Sequence, residues 1–466
     1  MSNLLASFTS AANTLNVLAQ ALQVTQNNVN NSQTPGYARQ TMRLESQPLD
    51  VASGLAGGVL SGGLEDSRNV WAEEQVQSQT SVLGLYTAQA QSTSSLQASF
   101  DVTGTGGVTA ALSGLLQNFS AWATTPSDST ARQNVLNGAQ NVAQAINTLT
   151  NSISQSAGQL NLNAGNTVDQ INSITAQIQQ YNTDRRGKLQ SDPGSEAQLY
   201  GYLQDLSALT NFTSVRQTDG TMTVLMSGGA PLVVGTEQYK IETATTADGV
   251  QVLDNTGKDI TAQATGGQLG GLLDARNRVL TSIVGSTTTQ GSLNQFAQTL
   301  ADTVNNLLTT GTTSSDPGAP NGAALFTYDN ANLTQAAATF AVNPGIAAAD
   351  LAPVDAAGNA NGNANQLAAL GSSTATQAAL GGMTLLGYFG QIAANAGREN
   401  SAATSNQATQ EQVVAQAKNL RDQASGVNLD QEAVSVLQFQ RAYQAAARVL
   451  TTLDTLSDTV LNMIRQ

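Results

Sequence analysis

The two ends of the chain carry its most regular pattern of apolar positions. Alternate steps of three and four residues from Val436 reach an apolar side chain at every position except one: Val436, Phe439, Tyr443, Ala446, Leu450, Leu453, Ser457, Val460 and Ile464. The same stepping from the N-terminus gives Leu4, Phe8, Ala11, Leu15, Leu18, Leu22, Thr25 and Val29. A sustained heptad predicts a long helix that packs against another helix. If the intervening residues form a body at one end, both helices enter it from the same side and run antiparallel as a coiled-coil stalk.

The C-terminal helix has a clear predicted start and an unusually wide apolar stripe. Asn428 is placed to cap it, and Gln431 follows three residues later as in a capping box. A second apolar row, Ala442, Val449, Leu456 and Met463, runs beside the heptad positions. We therefore expect this helix, roughly 50 Å long at about 1.5 Å per residue, to contact more than one neighbour.

The middle of the chain contains a still longer heptad between residues 131 and 182. It runs from Val135 to Tyr181 in one phase, with Gly158 and Gly165 inside it as sites of a local bend. Such a helix is marginal without partners, so other helices must cover it. Further helices are predicted at 68–100, 108–122, 268–310 and 366–424.

A different period appears at residues 211–265, where short β-rich runs alternate with Gly-containing turns. This pattern predicts antiparallel strands inserted between helical segments, with the two ends of the insert close together and the insert removable. Residues 41–67 indicate an extended, hairpin-like connector. Residues 311–365 are rich in Pro, Gly and Asn, with short strands expected at 324–328 and 339–342.

These elements predict a mainly α fold with a β insert (α+β). The expected organisation is a first half of the stalk at 1–45, a helical bundle at 46–210, 266–310 and 366–426, a β-rich insert at 211–265, an irregular segment at 311–365 and a second half of the stalk at 427–466.

Composition excludes several classes of function. Among 466 residues there are 18 Lys and Arg against 32 Asp and Glu, for a net charge of −14. This balance provides no basic patch for nucleic acid. No Cys and no His are present, so thiolate and imidazole chemistry are excluded. No apolar run is long enough to insert into a membrane, and no signal peptide is recognisable, so the expected location is the cytoplasm or a compartment reached without a cleaved signal.

Few positions suggest chemistry. Glu73-Glu74 is an adjacent acidic pair, best interpreted as a solvated helix face. The Gly-rich stretch 266–271 lies outside any βαβ pattern, and Asp350 and Asp355 lack the spacing of a calcium loop. We expect no catalytic residue, no cofactor and no metal.

Short motifs at both ends resemble a known family. The N-terminal motif is Asn27-Asn28-Val29-Asn30-Asn31 followed by Thr34-Pro35-Gly36-Tyr37-Ala38-Arg39-Gln40. The C-terminal motif is Ser425-Gly426-Val427-Asn428-Leu429-Asp430-Gln431-Glu432, continued by Phe439 to Ala445, and an internal motif runs from Gly267 to Arg276. They are similar to motifs of bacterial flagellar rod, hook and hook-associated proteins, and most to the hook-associated protein 1 family.

The resemblance implies a structural subunit of the flagellum at the junction between hook and filament. It implies an inner stalk, a helical domain and an outward β domain. Expected partners are further copies of the chain in a ring, the hook protein, the second junction protein and an export chaperone that binds the C-terminal region. Expected export is through the flagellar type III apparatus, which places the protein outside the cell.

The assembly interface is predicted along the stalk positions named above, namely Leu4, Phe8, Leu15, Leu18, Leu22, Val29, Val436, Phe439, Tyr443, Leu450, Leu453, Val460 and Ile464. The family motif residues are Asn27, Asn28, Asn31, Thr34, Pro35, Gly36, Tyr37, Gly426, Asn428, Leu429 and Asp430.

Two alternatives remain from the sequence. A hook or distal rod protein would share the terminal motifs, although the long helix at 131–182 argues against the β-rich middle of a hook protein. A secreted adhesin or enzyme belongs to another class. An adhesin has no need of heptads at both termini, and an enzyme would have to work without His or Cys.

Overall fold

The computed structural model describes residues 2–34, 36–50, 55–100, 106–186, 193–372 and 378–464. The helices are α1 (Ser2–Asn30), α2 (Val70–Ser99), α3 (Gly107–Thr124), α4 (Ser129–Arg185), α5 (Pro193–Leu209), α6 (Gly267–Asp274), α7 (Thr281–Val284), α8 (Ser292–Thr310), α9 (Gly362–Ala369), α10 (Leu385–Ser425) and α11 (Leu429–Ile464). A π-helical segment, Ala275–Leu280, joins α6 to α7. The mainly helical architecture predicted from the sequence is confirmed.

The strands form four separate antiparallel sheets. They are β1 (Gln40–Asp50), β2 (Leu55–Asp66), β3 (Phe212–Arg216), β4 (Met222–Met226), β5 (Pro231–Val234), β6 (Glu237–Gln238), β7 (Glu242–Thr246), β8 (Gly249–Leu253), β9 (Phe326–Thr327) and β10 (Ala341–Val342). The pairings are β1 with β2, β3-β4-β5-β6 in order, β7 with β8, and β9 with β10. The connector at 41–67 is thus a hairpin, and the short strands expected near 326 and 341 are present.

Helix α4 is the longest helix that the structure describes, and it runs through both hydrophobic cores. Its 57 residues form one uninterrupted helix, roughly 85 Å long at about 1.5 Å per residue. Gly158 and Gly165 lie inside this continuous helix without ending it. Its apolar heptad positions are buried along both halves, and each half belongs to a different hydrophobic core.

The first core surrounds the N-terminal half of α4. It joins Ile146 and Ile153 of that helix to α3, α8 and the first turns of α10. Residues of the irregular segment, including Phe326 and Phe340, are part of the same core and are almost fully buried. The segment 311–365 therefore packs onto the helical body.

The second core surrounds the C-terminal half of α4. Ile171 and Ile178 pack there with Leu203 of α5 and with strand residues such as Val224 and Val252. The two ends of the strand region lie side by side, since Asn211 Oδ1 accepts hydrogen bonds from the amides of Thr265 and Gly266 at 3.1 and 3.0 Å. Buried strand residues nevertheless pack in one core with α4 and α5. The expectation that this insert is freely removable is therefore at odds with the packing.

Two helical predictions are wrong in their extent. The segment 268–310 is interrupted by a loop at residues 285–291, between α7 and α8. The segment 366–424 is divided between α9 and α10, with residues 378–384 forming a short 3-10 turn and a loop. Gly381 and Gly382 adopt positive φ values of 65° and 76°, which a continuing helix does not permit. Residues 373–377 of this segment lie outside the described residues.

The terminal helices pair outside the two cores. The end of α1 meets the start of α11, because Asn28 and Glu432 share a hydrogen bond, so the helices run antiparallel as predicted. The β1–β2 hairpin covers another side of α1, where the Thr14 hydroxyl accepts a hydrogen bond from the amide of Val59 at 3.4 Å. We call α1, α11 and this hairpin the stalk, and all other described elements the body.

Candidate assembly site

The stalk seam is only partly closed in the single chain. Leu18 is buried, with 7% of its surface exposed, and Val17 and Ala21 beside it are buried as well. The half-buried predicted positions are Leu4, Phe8, Leu15, Leu22, Val436, Phe439, Leu450, Leu453 and Val460. Val29 and Tyr443 remain 38% and 41% exposed, so the single chain does not place them in the seam. The side chain of Ile464 lies outside the described residues.

A second apolar row on α11 faces solvent. Val449, Leu456 and Met463, spaced seven residues apart, are 54%, 49% and 67% exposed. Large aliphatic groups in a continuous row are characteristic of a surface that another molecule covers. The wide stripe expected from the sequence exists, but within the chain α11 packs mainly on α1.

A buried polar network at the base of the stalk centres on Asn28, whose side chain is almost fully buried. Its Oδ1 accepts hydrogen bonds from the Tyr37 hydroxyl and the Gln40 amide, both at 2.9 Å. Its Nδ2 donates to the Gln40 carbonyl at 2.7 Å and to Glu432 Oε2 at 3.0 Å. One amide therefore ties α1, the following turn, strand β1 and α11 together, which explains why an asparagine occupies this motif position.

Glu432 is the second member of this network. Its carboxylate is 1% exposed and also accepts a hydrogen bond from Nε of Arg39 at 2.5 Å. A buried carboxylate needs such charged and hydrogen-bonded partners, because an isolated one is strongly disfavoured. Both residues lie in the terminal motifs, but the local sequence does not predict that they pair across the length of the chain.

The C-terminal motif forms the turn between α10 and α11. Asn428 Oδ1 accepts hydrogen bonds from the amides of Asp430 and Gln431, at 3.0 and 3.2 Å, so the predicted cap is confirmed. Gly426 donates its amide to the Asp422 carbonyl at 2.8 Å, and a Cβ on it would lie 2.4 Å from that oxygen. Leu429, at the first helical position, is 49% exposed.

Ser425 fastens this turn to both neighbouring segments. Its carbonyl accepts the Arg39 amide and its hydroxyl accepts the Asn69 amide, both at 2.9 Å. Asn69 in turn caps α2 through its side chain. We call the set Asn28, Tyr37, Arg39, Ser425 and Glu432 the neck.

The turn after α1 lies directly on α5. Gly36 has a φ of 75°, and a Cβ there would come within 2.7 Å of the Ala197 carbonyl oxygen, so this motif glycine is required by both conformation and space. Its carbonyl accepts Nη2 of Arg68 at 2.7 Å. The motif residue Pro35 lies outside the described residues.

The Glu73-Glu74 prediction is wrong for one of its two members. Glu74 is exposed, but Glu73 is 5% exposed and accepts Nη1 of Arg68 at 2.7 Å. The Arg68 guanidinium also lies 3.9 Å from the centre of the Tyr200 ring. Glu73 is buried because the fold brings its partners together, which the local charge pattern does not show. The buried ion pair with Arg68, whose guanidinium lies on the Tyr200 ring, positions the start of α2 relative to α5.

The remaining N-terminal motif residues stop α1 locally. Asn31 Nδ2 donates to the carbonyl and side chain of Asn27 at 3.0 and 2.9 Å, and the Thr34 hydroxyl donates to Asn31 Oδ1 at 3.1 Å. These side-chain bonds supplement the last helical bond, from the Asn31 amide to the Asn27 carbonyl at 3.0 Å, as is typical of Asn at helix ends.

Burial and the Glu432 carboxylate raise the pKa of the Tyr37 hydroxyl above its ordinary value of 10.0. Both causes favour the neutral phenol, which is the form that donates to Asn28. The neck is thus arranged for structure and not for proton transfer at neutral pH.

Within the described ranges, no three carboxylates are grouped so that they could hold a metal ion. None of the described helices combines the length and apolar character required to cross a membrane.

The fold and its neck define a class: a structural protein whose two termini pair into a stalk with exposed apolar surface. The comparisons with known proteins agree. A family model described as the flagellar hook-associated protein FlgK helical domain matches residues 93–326, half of the chain. A second, the flagellar basal body rod FlgEFG protein C-terminal model, matches residues 421–463.

Relatives extend the similarity over the whole chain. Flagellar hook-associated protein 1 of Bacillus subtilis is 23% identical over 506 aligned positions, covering 97% of both chains. The Escherichia coli protein of the same name is 23% identical over 547 positions, covering 96% of this chain and 98% of the relative. The solved structure of the flagellar hook junction protein FlgK from Burkholderia pseudomallei has a TM-score of 0.62 at 16% identity, covering 75% of this chain and 99% of that one. The chain belongs to the FlgK family of flagellar hook-associated proteins, and it is a structural protein of the bacterial flagellum, not an enzyme.

Proposed function

We propose that this protein joins hook to filament by packing its stalk among the stalks of identical copies in a ring. The observation that carries this proposal is the exposed apolar row Val449, Leu456 and Met463, which lies beside the seam that α1 already covers. Covering such a row with an equivalent helix from another copy removes apolar surface from water at about 25 cal/mol per Å².

In this proposal the neck transmits load between stalk and body. Asn28, Glu432 and Arg39 form bonds with geometric requirements, whereas apolar contacts along the seam can slide. A joint under rotation needs a fixed angle at this position, and the buried polar network supplies it.

The body would then lie outside the axial core, with the strands of 212–253 on its outer part. The domain ranges given from the sequence, with the stalk at 1–45 and 427–466, are retained as a proposal with two changes: the β1–β2 hairpin, up to Asp66, belongs to the stalk, and residues 211–265 contribute to the second core. The hook protein on one side and the second junction protein on the other are the proposed axial neighbours. We further propose export through the flagellar type III apparatus to the cell exterior, with a chaperone covering the apolar rows of the C-terminal region beforehand.

Charge substitutions on the stalk test this proposal. Leu18→Asp and Leu450→Asp place a carboxylate in the seam, and Val449→Asp places one in the exposed row. We expect all three to abolish filament attachment, seen as hooks without filaments by negative-stain microscopy. Leu162→Asp, on an equally exposed leucine of α4, is the matched control and should leave filaments intact.

Circular dichroism of the purified subunits separates assembly from folding. Val449→Asp should retain the helical signal of the parent, because that side chain is already in water. Normal filaments with Val449→Asp would contradict the role given to the exposed row. Normal filaments with Leu450→Asp and Leu18→Asp would contradict the paired stalk itself.

A further inference from the structure

A cavity of about 600 Å³ lies on the body, away from the stalk and the neck. Its walls are the middle of α4, the segment 276–284, the loop after α7, and residues 332–338, with the β7–β8 turn at its edge. Its apolar walls, including Ile153, Leu280 and Leu293, belong to the first hydrophobic core. Among the described residues that line it, Arg276 is the only charged one.

Arg276 is buried without a carboxylate partner. Its side chain is 9% exposed, and its Nε donates to Asn161 Oδ1 at 3.0 Å. Neither terminal guanidinium nitrogen has a hydrogen bond or ion pair within the described parts of the chain. Burial alone lowers the pKa of Arg276, with no compensating negative charge. Arg278, two residues later, differs completely, because it pairs with Asp274 and Glu399.

The backbone that carries Arg276 is also unusual. Residues 275–280 form a π-helical segment in place of a continued α-helix after α6. Such segments cost stability and are found mainly where a side chain must be placed for a purpose. The internal motif Gly267 to Arg276, which the stalk and neck leave without a role, ends on this residue.

The rest of the cavity offers neutral donors. The side chains of Ser154 and Gln335 line it and make no hydrogen bond with any residue that the structure describes. The loop beside them is fixed, because Asp248 accepts the amide and hydroxyl of Thr287 at 2.6 and 2.8 Å. Among the described residues, that carboxylate forms no ion pair with Arg276, whose pKa is lowered by burial alone.

We propose that this cavity binds a single carboxylate group through the two free nitrogens of the Arg276 guanidinium, with Ser154 and Gln335 as secondary donors. A planar guanidinium matches a carboxylate with two parallel hydrogen bonds. One cation balances one carboxylate charge, whereas a phosphate dianion would leave a negative charge unpaired in a partly enclosed site. The carboxylate can come from a free organic acid or from an Asp or Glu side chain of a second copy of the chain.

The test uses the full-length chain with ¹⁵N-labelled arginine, followed by nuclear magnetic resonance of the guanidinium Nε signals. Sodium acetate is the probe for a free acid and sodium phosphate is the comparison at equal ionic strength. We expect a saturable shift of the Arg276 signal with acetate, at lower concentration than with phosphate. Arg276→Met should remove the saturable response, whereas Arg278→Met, the matched control, should change its midpoint by less than about twofold.

Addition of the unlabelled chain distinguishes the two sources. A shift of the Arg276 signal on this addition, without acetate, assigns the carboxylate to a second copy, and a shift with acetate alone assigns it to a free acid. Thermal unfolding in carboxylate-free buffer adds a second readout: Arg276→Met should be at least as stable as the parent, because an unpaired buried cation is removed. No saturable shift from either source, or tighter binding of phosphate than of acetate, would overturn the proposal.

Discussion

The body and the stalk share one sequence pattern and differ in what covers it. Along α4, heptad positions such as Ile146, Ile153 and Ile171 are completely buried within the chain. Along α11, Glu432 is the only buried side chain among those described, and the heptad leucines are half-covered. A heptad therefore predicts a helix and an apolar stripe in both regions, but it does not say whether the partner belongs to the same chain.

The difference also shows what holds each region in place. The body is stabilised by two apolar cores that share one long helix. The stalk is held by a thin seam and, at its base, by the buried polar neck. We therefore expect a change in the body and a change in the stalk to alter stability by different amounts.

Replacing residues 211–265 with a short Gly/Ser linker should unfold part of the body. Although Asn211 and Gly266 already lie together, the deletion strips the strands from Ile171 and Ile178 of α4 and Leu203 of α5. Limited proteolysis should then cut α5 and the C-terminal half of α4 rapidly. Substituting only the exposed turn at 254–257 is the control, and a protease-resistant deletion variant would show that the strands are a separate domain.

Matched truncations should separate the regions more gently. Phe389 is 2% exposed and its ring centre lies 5.5 Å from that of Phe296, so Phe389→Ala should cost about 3–5 kcal/mol of unfolding free energy. Leu453→Ala, on the half-buried stalk, should cost less than about 1.5 kcal/mol in the free chain. Urea unfolding of both variants measures the two losses of unfolding free energy. Equal losses would show that the body and the stalk do not differ in this respect.

Glu432→Ala tests the neck. The carboxylate is buried but Arg39 is partly exposed, so we expect about 2–3 kcal/mol less stability for stalk docking, below the range for fully buried pairs. Arg43→Ala breaks an exposed pair with Glu65 and should cost less than about 1 kcal/mol. The rate at which dilute protease cleaves within α11 measures how far the docking of the stalk is weakened. If Glu432→Ala is cleaved no faster than Arg43→Ala, the neck contributes little to stability.

The smallest effect concerns pH. Because the Tyr37 pKa is raised above 10.0 in the folded chain, its contribution to stability is complete below pH 10 and is lost as pH rises through the folded value. The difference in tyrosinate absorbance between the parent and Tyr37→Phe should therefore reach its midpoint above pH 10. A difference already at its midpoint below pH 10 would mean that Tyr37 is not buried against Glu432.

Much of this architecture is predictable from residues close in sequence. The heptads give α1, α4 and α11, and Asn428 gives the start of α11, because side-chain period and helix capping are local properties. The break at Gly381-Gly382 is not predicted because apolar residues that are compatible with a helix flank it on both sides. The pairs Arg39–Glu432 and Arg68–Glu73 were missed for another reason: burial of a charge depends on partners supplied by the whole fold. In the local sequence, the one feature that points to a buried Glu73 is Arg68, a potential ion-pair partner just before α2.

Amide hydrogen exchange on the free monomer tests the central claim most directly, since it measures the stability of both regions in one experiment. If the stalk reaches its full stability only among other copies, residues 131–182 should be strongly protected while residues 2–30 and 430–464 exchange with little protection. Assembly should then raise protection in the stalk ranges alone. Equal protection of the stalk and α4 in the free monomer would contradict the account.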